Sequence, residues 1–374
     1  NFLYHIAGLT AKKTYPSGEY YLRINPSAGA LYPNELYFQA RGVEHVEDGI
    51  YHYEVSSSSI TRLQDIADDE GLEPYLGYRT AMKGYLFLVS AIYYRSSWKY
   101  KNRAFRYCLL DAGHLLGSLE ASALLKPHAV QVIYDIEKEK LNRMFGFEMQ
   151  EWFLSAAVMA VPLRDQEVKA IEFSLPFVNG SRTFEQNEMI EQAYSESMIL
   201  EGCKKEVNAP RFTYNDTKLK ETIFSRRSQR GFNEGAITKG QFNYIMEAIH
   251  QPILSDCDEE VSVYVVLNRV LDMPLGLYKN GEYLKHGDFG HHAGYLSLEQ
   301  YSLSTQGAVA FFLTSKAKNY QALYQKAGII GHRLYIASLY LGIGCSGIGA
   351  YYDDEVNQFV ENDEMVLYAL AIGK

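Results

Sequence analysis

The stretches "LDAGHLLGSLEASALL" (110–125) and "QKAGIIGHRLYIASLYL" (325–341) decide the fold, because they are two versions of one apolar helix. Placing Gly113 on Gly328, an offset of 215 residues, aligns their small and large residues. The same offset matches Ala112 with Ala327, Leu119 with Leu334 and Leu124 with Leu339. A repeat of this length indicates two copies of one folding unit, and such copies usually pack as an internal pseudo-dimer.

The elements predicted around each helix follow the same order in both halves. The first half predicts a helix over 1–9, a strand over 35–40, a hairpin over 49–63, a helix near 63–75, a strand over 85–94, the long helix over 103–125 and strands over 128–135 and 152–161. The second half predicts helices from 219 and over 239–250, a strand over 261–270, a hairpin over 275–285, a strand over 308–316, the long helix over 320–341 and a last strand over 365–372. This order predicts an α+β fold with domains at 1–163 and 218–374, joined by a polar connector at 164–217 that contains one helix.

Composition excludes several classes of protein. A net charge of −9 and a pI near 5.6 argue against a dedicated nucleic-acid binder, which needs clustered Lys and Arg. The four cysteines lie far apart without a CxxC pair, so neither a metal site nor a disulfide framework is expected. Apolar stretches of about ten to twelve residues are too short to span a membrane. We expect a cytoplasmic protein, and because the chain starts at Asn1 inside a predicted helix, we expect residues upstream of it.

The segment "SRRSQRGF" (225–232) concentrates cations and hydroxyls. We predict that it begins a helix, where Arg226, Ser228 and Arg230 would present forked donors and a hydroxyl to a phosphate monoester. A solvated basic surface is the alternative.

The segment "NPSAGALYP" (25–33) is a small-residue turn before a strand. We predict that Ser27, Ala28 and Gly29 leave backbone amides uncovered, so that a flat ring can approach. A tight turn without a ligand is the alternative.

A third motif places Lys99 beside Tyr100, which we predict to lie at the carboxyl end of the strand over 85–94. An ammonium group next to a phenol favours the phenolate and makes the pair a candidate proton acceptor. The glycine-rich "GIGCSGIGAYYDDEV" (342–356) could present amides to a ring edge, although it lacks the GxGxxG pattern of nucleotide folds.

Together these motifs resemble the nitroreductase-like flavoproteins, and within them the SagB-type azoline dehydrogenases of thiazole and oxazole biosynthesis. The resemblance is carried by "PSAGALYPNELY" (26–37), "GIYHYEV" (49–55), "KYKNRAFRYCLLDAGHLLGSL" (99–119), "SRRSQRGF" and the glycine-rich run. It implies two tandem FMN-dependent domains packed as a pseudo-dimer, with one FMN per chain where the halves meet.

The resemblance also implies roles for single residues. The first half would supply the ring-facing turn, and the second half the phosphate clamp, the glycine amides and a basic residue after the last strand. The implied cofactor-binding residues are Pro26, Ser27, Ala28, Gly29, Leu31, Arg226, Ser228, Arg230, Gly344, Gly347 and Lys374. The Lys-Tyr signature falls on Lys99 and Tyr100, as catalytic residues. The second half lacks the turn, with "DCDEEVSVY" (256–264) in its place, and the first half lacks the glycine run, so the second symmetry-related site looks inactive.

The implied activity is oxidation of peptide azolines to azoles, with dioxygen as electron acceptor. The substrate would be peptide-bound or carrier-bound, and a cyclodehydratase is the partner that a ribosomal peptide would need. The alternatives are a general NAD(P)H-dependent nitro or flavin reductase, which needs no Lys-Tyr pair, and a flavin-free scaffold subunit. The sequence leaves open whether the chain forms a homodimer.

Overall fold

The computed structural model describes residues 2–16, 18–126 and 128–374. The chain forms two compact units. The first comprises Asn1–Ala209 together with Ile253–Asp258, and the second comprises Pro210–Pro252 and Glu259–Lys374. Each unit contains helices and one six-stranded antiparallel sheet, so the predicted α+β class is confirmed.

The sheet of the first unit has the strand order β5-β4-β3-β7-β9-β8. Its central strand, β7, is apolar along most of its length and is paired on both sides, with β3 and with β9. The elements of this unit are α1 (Phe2–Ala7), β1 (Leu9–Tyr15), β2 (Gly18–Arg23), β3 (Asn34–Arg41), β4 (Gly49–Glu54), β5 (Ser59–Asp65), β6 (Glu70–Gly71), β7 (Thr80–Ile92), α2 (Tyr94–Tyr100), α3 (Ala104–Ala123), β8 (Gln131–Ile133), α4 (Lys138–Met144), β9 (Glu151–Glu167), β10 (Lys169–Ala170) and α5 (Glu188–Ser197).

The sheet of the second unit has the strand order β13-β12-β11-β14-β16-β15. The elements of this unit are α6 (Asp216–Ser225), α7 (Lys239–Ile249), β11 (Ser262–Leu267), β12 (Gly276–Lys279), β13 (Glu282–His286), α8 (Gly290–Leu296), α9 (Tyr301–Ser304), β14 (Val309–Ser315), α10 (Tyr320–Tyr340), β15 (Gly344–Ile348), α11 (Asp353–Val360) and β16 (Met365–Gly373).

The two sheets have the same topology. In each, a first strand (β3, β11) pairs with a hairpin partner and with a long central strand, which pairs with the final strand, and a short strand closes the edge. The long helices of the repeat, α3 and α10, precede the edge strands β8 and β15. Most residues of both helices are buried, which explains why apolar residues are not confined to one face of either helix. The repeat is therefore confirmed at the level of topology.

The structure differs from the sequence-based predictions at three places. The helix predicted near 63–75 is wrong, because β5 continues to Asp65 and is followed by the short strand β6 and then by a 3-10 turn at Glu73–Leu76. The hairpin of β1 and β2 was not predicted, since its residues are mostly polar and exposed. Much of the predicted connector, up to Ala209, is part of the first unit, where β9 runs on to Glu167.

Across the described parts of the chain, none of the helices combines the length and the apolar character that crossing a membrane requires.

Candidate active site

The turn that precedes β3 has an unusual backbone. Ala28–Ala30 form a short 3-10 turn, and three residues adopt positive φ angles: Gly29 at 63°, Ala30 at 57° and Tyr32 at 48°. Such angles are costly for residues other than glycine and tend to cluster at functional sites. The surrounding structure must therefore hold this turn in place.

Asp111, on α3, anchors the turn. Ser27 Oγ donates to Asp111 Oδ2 (2.5 Å), the Ala28 amide donates to Asp111 Oδ1 (3.2 Å), and the Tyr32 amide donates to Ser27 Oγ (2.9 Å). The Ala28 amide is thus not uncovered, contrary to the prediction from sequence. Burial raises the pKa of Asp111 to about 7, even though these hydrogen bonds oppose the shift.

The remaining turn residues complete its description. Pro26 is buried, Leu31 is partly buried and donates its amide to the Ala28 carbonyl, and Gly29 is exposed. Gly29 is therefore the most exposed residue of the turn, and its neighbours are Lys99 and Tyr100.

Lys99 and Tyr100 lie directly against Gly29. A Cβ added to Gly29 would stand 2.5 Å from Tyr100 OH and 3.1 Å from Lys99 Nζ, so only glycine leaves room for the pair. Lys99 Nζ is 5.0 Å from the centroid of the Tyr100 ring, and Tyr107 packs edge-on against that ring at 4.7 Å. The structure therefore brings together two motifs that are about seventy residues apart in sequence.

The sequence predicted that the Lys99–Tyr100 pair lies at the end of a strand, but the structure places it in a helix. β7 ends at Ile92, and Lys99 and Tyr100 are the last residues of α2, which begins at Tyr94. The next residue, Lys101, has a φ of 50°, and this turn separates α2 from α3. The pair is held by the junction of two helices.

In the second unit, the arginine cluster follows a helix and does not begin one. α6 ends at Ser225, and Arg226 is its C-cap with extended backbone angles (φ −52°, ψ 124°). The prediction that a helix N-terminus helps to bind phosphate here is therefore wrong. The positive charges instead lie at the negative end of the α6 dipole, where they are favourable.

Residues after this cap run alongside the edge strand β15. The Gln229 amide donates to the Cys345 carbonyl (3.0 Å), and the Asn233 amide donates to the carbonyl of Lys374 (2.5 Å). Arg226 is buried, whereas Ser228, Arg230 and Lys374 have exposed side chains. The cluster and the last residue are thus joined through β15 and β16.

Tyr335, on α10, organises this region and was missed by sequence reasoning. Its hydroxyl is 2.8 Å from Ser228 Oγ and accepts the amide of Gly347 (2.7 Å), while the guanidinium carbon of Arg226 lies 5.2 Å from its ring centroid. Burial raises the pKa of Tyr335 to about 12, so its hydroxyl stays protonated. One turn earlier, burial and the nearby Arg226 lower the pKa of His332 to about 3. A histidine and a tyrosine three residues apart on an apolar helix were the available signal.

Glycines of the edge strand are needed for packing. A Cβ on Gly344 would stand 2.6 Å from Gln229 Cγ, and one on Gly347 would stand 2.0 Å from Tyr368 OH. The sequence suggested that amides of this run could bind the edge of a ligand ring. The Gly347 amide is not available for this, because it already donates to Tyr335. These glycines let neighbouring side chains approach β15 closely.

The chemistry of these groups fits the parts of a flavin mononucleotide. Two guanidinium groups, a hydroxyl and an ammonium group, from Arg226, Arg230, Ser228 and Lys374, are the donors that phosphate monoesters prefer. The turn of the first unit presents a glycine surface beside a phenol and an ammonium group. Each unit thus carries a different set of groups.

Comparison with known proteins agrees with the topology. The nitroreductase family profile matches residues 223–374. Proteins of this family are oxidoreductases that typically depend on FMN.

Two proteins show how far the similarity extends. "Putative nitroreductase MJ1384" of Methanocaldococcus jannaschii is 34% identical over 124 residues, which cover 32% of this chain and 63% of that protein. The chain therefore spans less than two thirds of that relative. The crystal structure of a "putative nitroreductase" from Anabaena variabilis matches all of this chain and 86% of its own, with 25% identity and a TM-score of 0.81. The nitroreductase-like fold thus extends beyond the matched domain to the first unit.

Proposed function

We propose that this protein is an FMN-dependent azoline oxidase of the SagB type, which converts thiazolines or oxazolines in a peptide to the corresponding azoles. The observation that carries the proposal is the contact of Gly29 with Lys99 and Tyr100. It joins the motif expected to face a flavin ring to the motif expected to move a proton. The match of residues 223–374 to the nitroreductase family supports a flavin-dependent redox reaction.

In this proposal one FMN per chain is held by residues from both units. The first unit contributes the turn of Pro26, Ser27, Ala28, Gly29 and Leu31, and the second contributes Arg226, Ser228, Arg230, Gly344, Gly347 and Lys374. The contribution of Gly347 is indirect, since its amide fixes Tyr335, which in turn holds Ser228. FMN, when bound, would supply the hydride acceptor.

The protein's own residues would carry the proton. Oxidation of an azoline removes a proton and a hydride from adjacent carbon atoms of the ring. Tyr100 would accept the proton on its oxygen, and the Lys99 ammonium group would stabilise the negative charge that this step requires. Asp111 would keep the turn in register through Ser27 and Ala28. Dioxygen would be the final electron acceptor.

The substrate in this proposal is a peptide-bound or carrier-bound azoline, formed by a cyclodehydratase that acts first. A second candidate is an NAD(P)H-dependent nitro or flavin reductase. It is favoured by the 34% identity to a protein named as a nitroreductase. Such an enzyme needs an open flavin face for the nicotinamide and has no use for the Lys-Tyr pair.

The first experiment is an absorbance spectrum of the purified protein, followed by chromatography of the flavin released on denaturation. We expect close to one FMN per chain. Rapid bleaching of the bound FMN by NADH would favour the reductase. A colourless protein that takes up no added FMN would leave the flavin-free scaffold as the better description.

The second experiment tests the pair directly. The double variant Lys99→Ala, Tyr100→Phe is compared with Tyr107→Phe, which keeps its ring against Tyr100 and loses only a neighbouring hydroxyl. Model peptides with a single thiazoline are followed by mass spectrometry for the loss of two hydrogen atoms. We expect the double variant to retain FMN and to lose azole formation by about 10²-fold or more, as for other general bases, while Tyr107→Phe stays active. An active double variant would remove the role assigned to the pair.

A further inference from the structure

Two cysteines that are distant in sequence meet in the first unit. Cys203 and Cys257 are 54 residues apart, and their sulfur atoms lie 2.6 Å from each other. A disulfide bond measures about 2.05 Å, so the two side chains already point at each other at close to bonding distance. Cys257 is buried and Cys203 is partly exposed, so Cys203 is the more accessible residue of the pair.

Backbone hydrogen bonds hold the two chain segments in register around the sulfur atoms. The Glu206 amide donates to the Ser255 carbonyl (2.9 Å), in an antiparallel bridge. The Lys204 amide, next to Cys203, donates to the side-chain oxygen Oδ1 of Asp258, next to Cys257 (2.9 Å). These two contacts hold the two segments together beside the cysteines, so forming a bond requires little rearrangement.

The segment that carries Cys257 has an unusual position. Residues 253–258 belong to the first unit, although the chain before and after them belongs to the second. The Val132 amide donates to the Leu254 carbonyl (2.9 Å), and the Asp256 carboxylate accepts the amides of Tyr134 (2.9 Å) and Asp135 (2.8 Å). This crossing segment therefore extends the first unit beside β8.

We propose that Cys203 and Cys257 form a reversible disulfide that fastens the crossing segment, residues 253–258, to the segment at 203–206. With hydrogen peroxide as oxidant, the Cys203 sulfur attacks one peroxide oxygen, forms a sulfenic acid and releases water. The Cys257 sulfur then displaces the hydroxyl group as a second water and completes the S–S bond. Two thiols and one peroxide thus yield one disulfide and two waters.

The other two cysteines provide an internal control. Cys108 and Cys345 are both buried, and burial raises the pKa of each thiol well above its ordinary value. Because the thiolate is the reactive form, both should resist the same oxidant. We therefore expect the oxidant to react with the Cys203–Cys257 pair and to leave Cys108 and Cys345 as thiols.

The test uses the full chain, with or without bound flavin, so it does not depend on the proposed activity. Protein treated with hydrogen peroxide, and then with catalase, is unfolded in an alkylating reagent and mapped by mass spectrometry without reduction. We expect the four thiols to fall to two, with a peptide linking Cys203 to Cys257, and dithiothreitol to restore four. Cys203→Ser and Cys257→Ser should each abolish the linked peptide.

A second readout is hydrogen exchange of the crossing segment and of the amides that bond to it. We expect exchange at Val132 and Glu206 to be slower in the oxidised protein, because the disulfide restricts local opening. The proposal is overturned if the wild-type chain keeps four thiols, if Cys203 forms only higher acids, or if linked peptides involve Cys108 or Cys345. One zinc ion per chain that is lost in Cys203→Ser would also overturn it, since the sulfur atoms would then be metal ligands.

Discussion

Replacing Asp111 with Asn tests the anchor of the turn that faces Lys99 and Tyr100. Asp111 is buried, and its two oxygens receive Ser27 Oγ and the Ala28 amide. A protonated carboxyl group and a carboxamide both offer one acceptor and one donor side. Asn at this position therefore imitates the protonated form of Asp111 and is uncharged at every pH.

The size of the expected change in unfolding free energy follows from the pKa of Asp111. Burial raises it from 3.8 to about 7, so the folded protein binds this proton more tightly than the unfolded chain. A raised pKa contributes stability that is fully present below about pH 4 and is lost as the pH rises through 7. Between pH 5 and pH 8 the free energy of unfolding should therefore fall by about 2–3 kcal/mol through Asp111 alone.

Urea unfolding of the wild type and of Asp111→Asn, at pH 5, 6, 7 and 8, measures this difference. The unfolding free energy of the variant should rise by about 2–3 kcal/mol relative to that of the wild type between pH 5 and pH 8. Burial also raises the pKa of Glu151 to about 7, but that group is present in both proteins and its effect cancels.

Asp69→Asn is the control. Asp69 is exposed, and its hydrogen bond to Lys169 lowers its pKa below 3.8, so it titrates outside this pH range. A relative gain below about 1 kcal/mol for Asp111→Asn would refute the reasoning, because it would mean that Asp111 is already ionised in the folded protein at pH 5.

Two further substitutions examine the turn of the first unit and Tyr335 of the second unit. Gly29→Ala should reduce azole formation and lower the unfolding free energy by more than Gly77→Ala does. Both positions have positive φ, but a methyl group would clash only at position 29, with Tyr100. Equal effects of the two variants in activity and urea-unfolding assays would contradict this. Tyr335→Phe should lower the unfolding free energy by about 1–3 kcal/mol, because the Gly347 amide loses its acceptor. It should also weaken FMN retention on gel filtration, whereas Tyr351→Phe, which also loses a buried hydroxyl, should retain FMN. Equal retention in both variants would argue against a role for Tyr335.

The fold was largely predictable because its signals are periodic and repeated. The long helices and the strands around them carry apolar runs that have one structural solution, and the offset of 215 residues indicated two copies. The false helix near 63–75 had mixed polar and apolar residues, and pairing with β4 decided in favour of strand β5. Local sequence does not contain that tertiary contribution.

The candidate site was predictable only as separate motifs. Sequence named Gly29 and the Lys99–Tyr100 pair, but their contact depends on how α2 and the turn before β3 come together in the folded unit, which no local pattern encodes. Asp111 and Tyr335 were missed because each lies within a mostly apolar, buried helix, where a packing role is the usual expectation. Their hydrogen bonds appear only when the turn and the edge strand are folded against them.

The crossing segment explains why the second half lacks a counterpart to the turn. In the first unit, residues 25–33 lead into β3 and form the turn, and in the second the equivalent strand is β11. Residues 253–258 end three residues before β11. The Leu254 carbonyl accepts the Val132 amide of β8, and the Asp256 carboxylate accepts two amides of the first unit. A segment committed to those bonds cannot fold into a ring-facing turn. Likewise β8, with the sequence Gln-Val-Ile, has no glycine to admit side chains as closely as β15 does. The turn is therefore found in the first unit and the glycine-containing edge strand in the second.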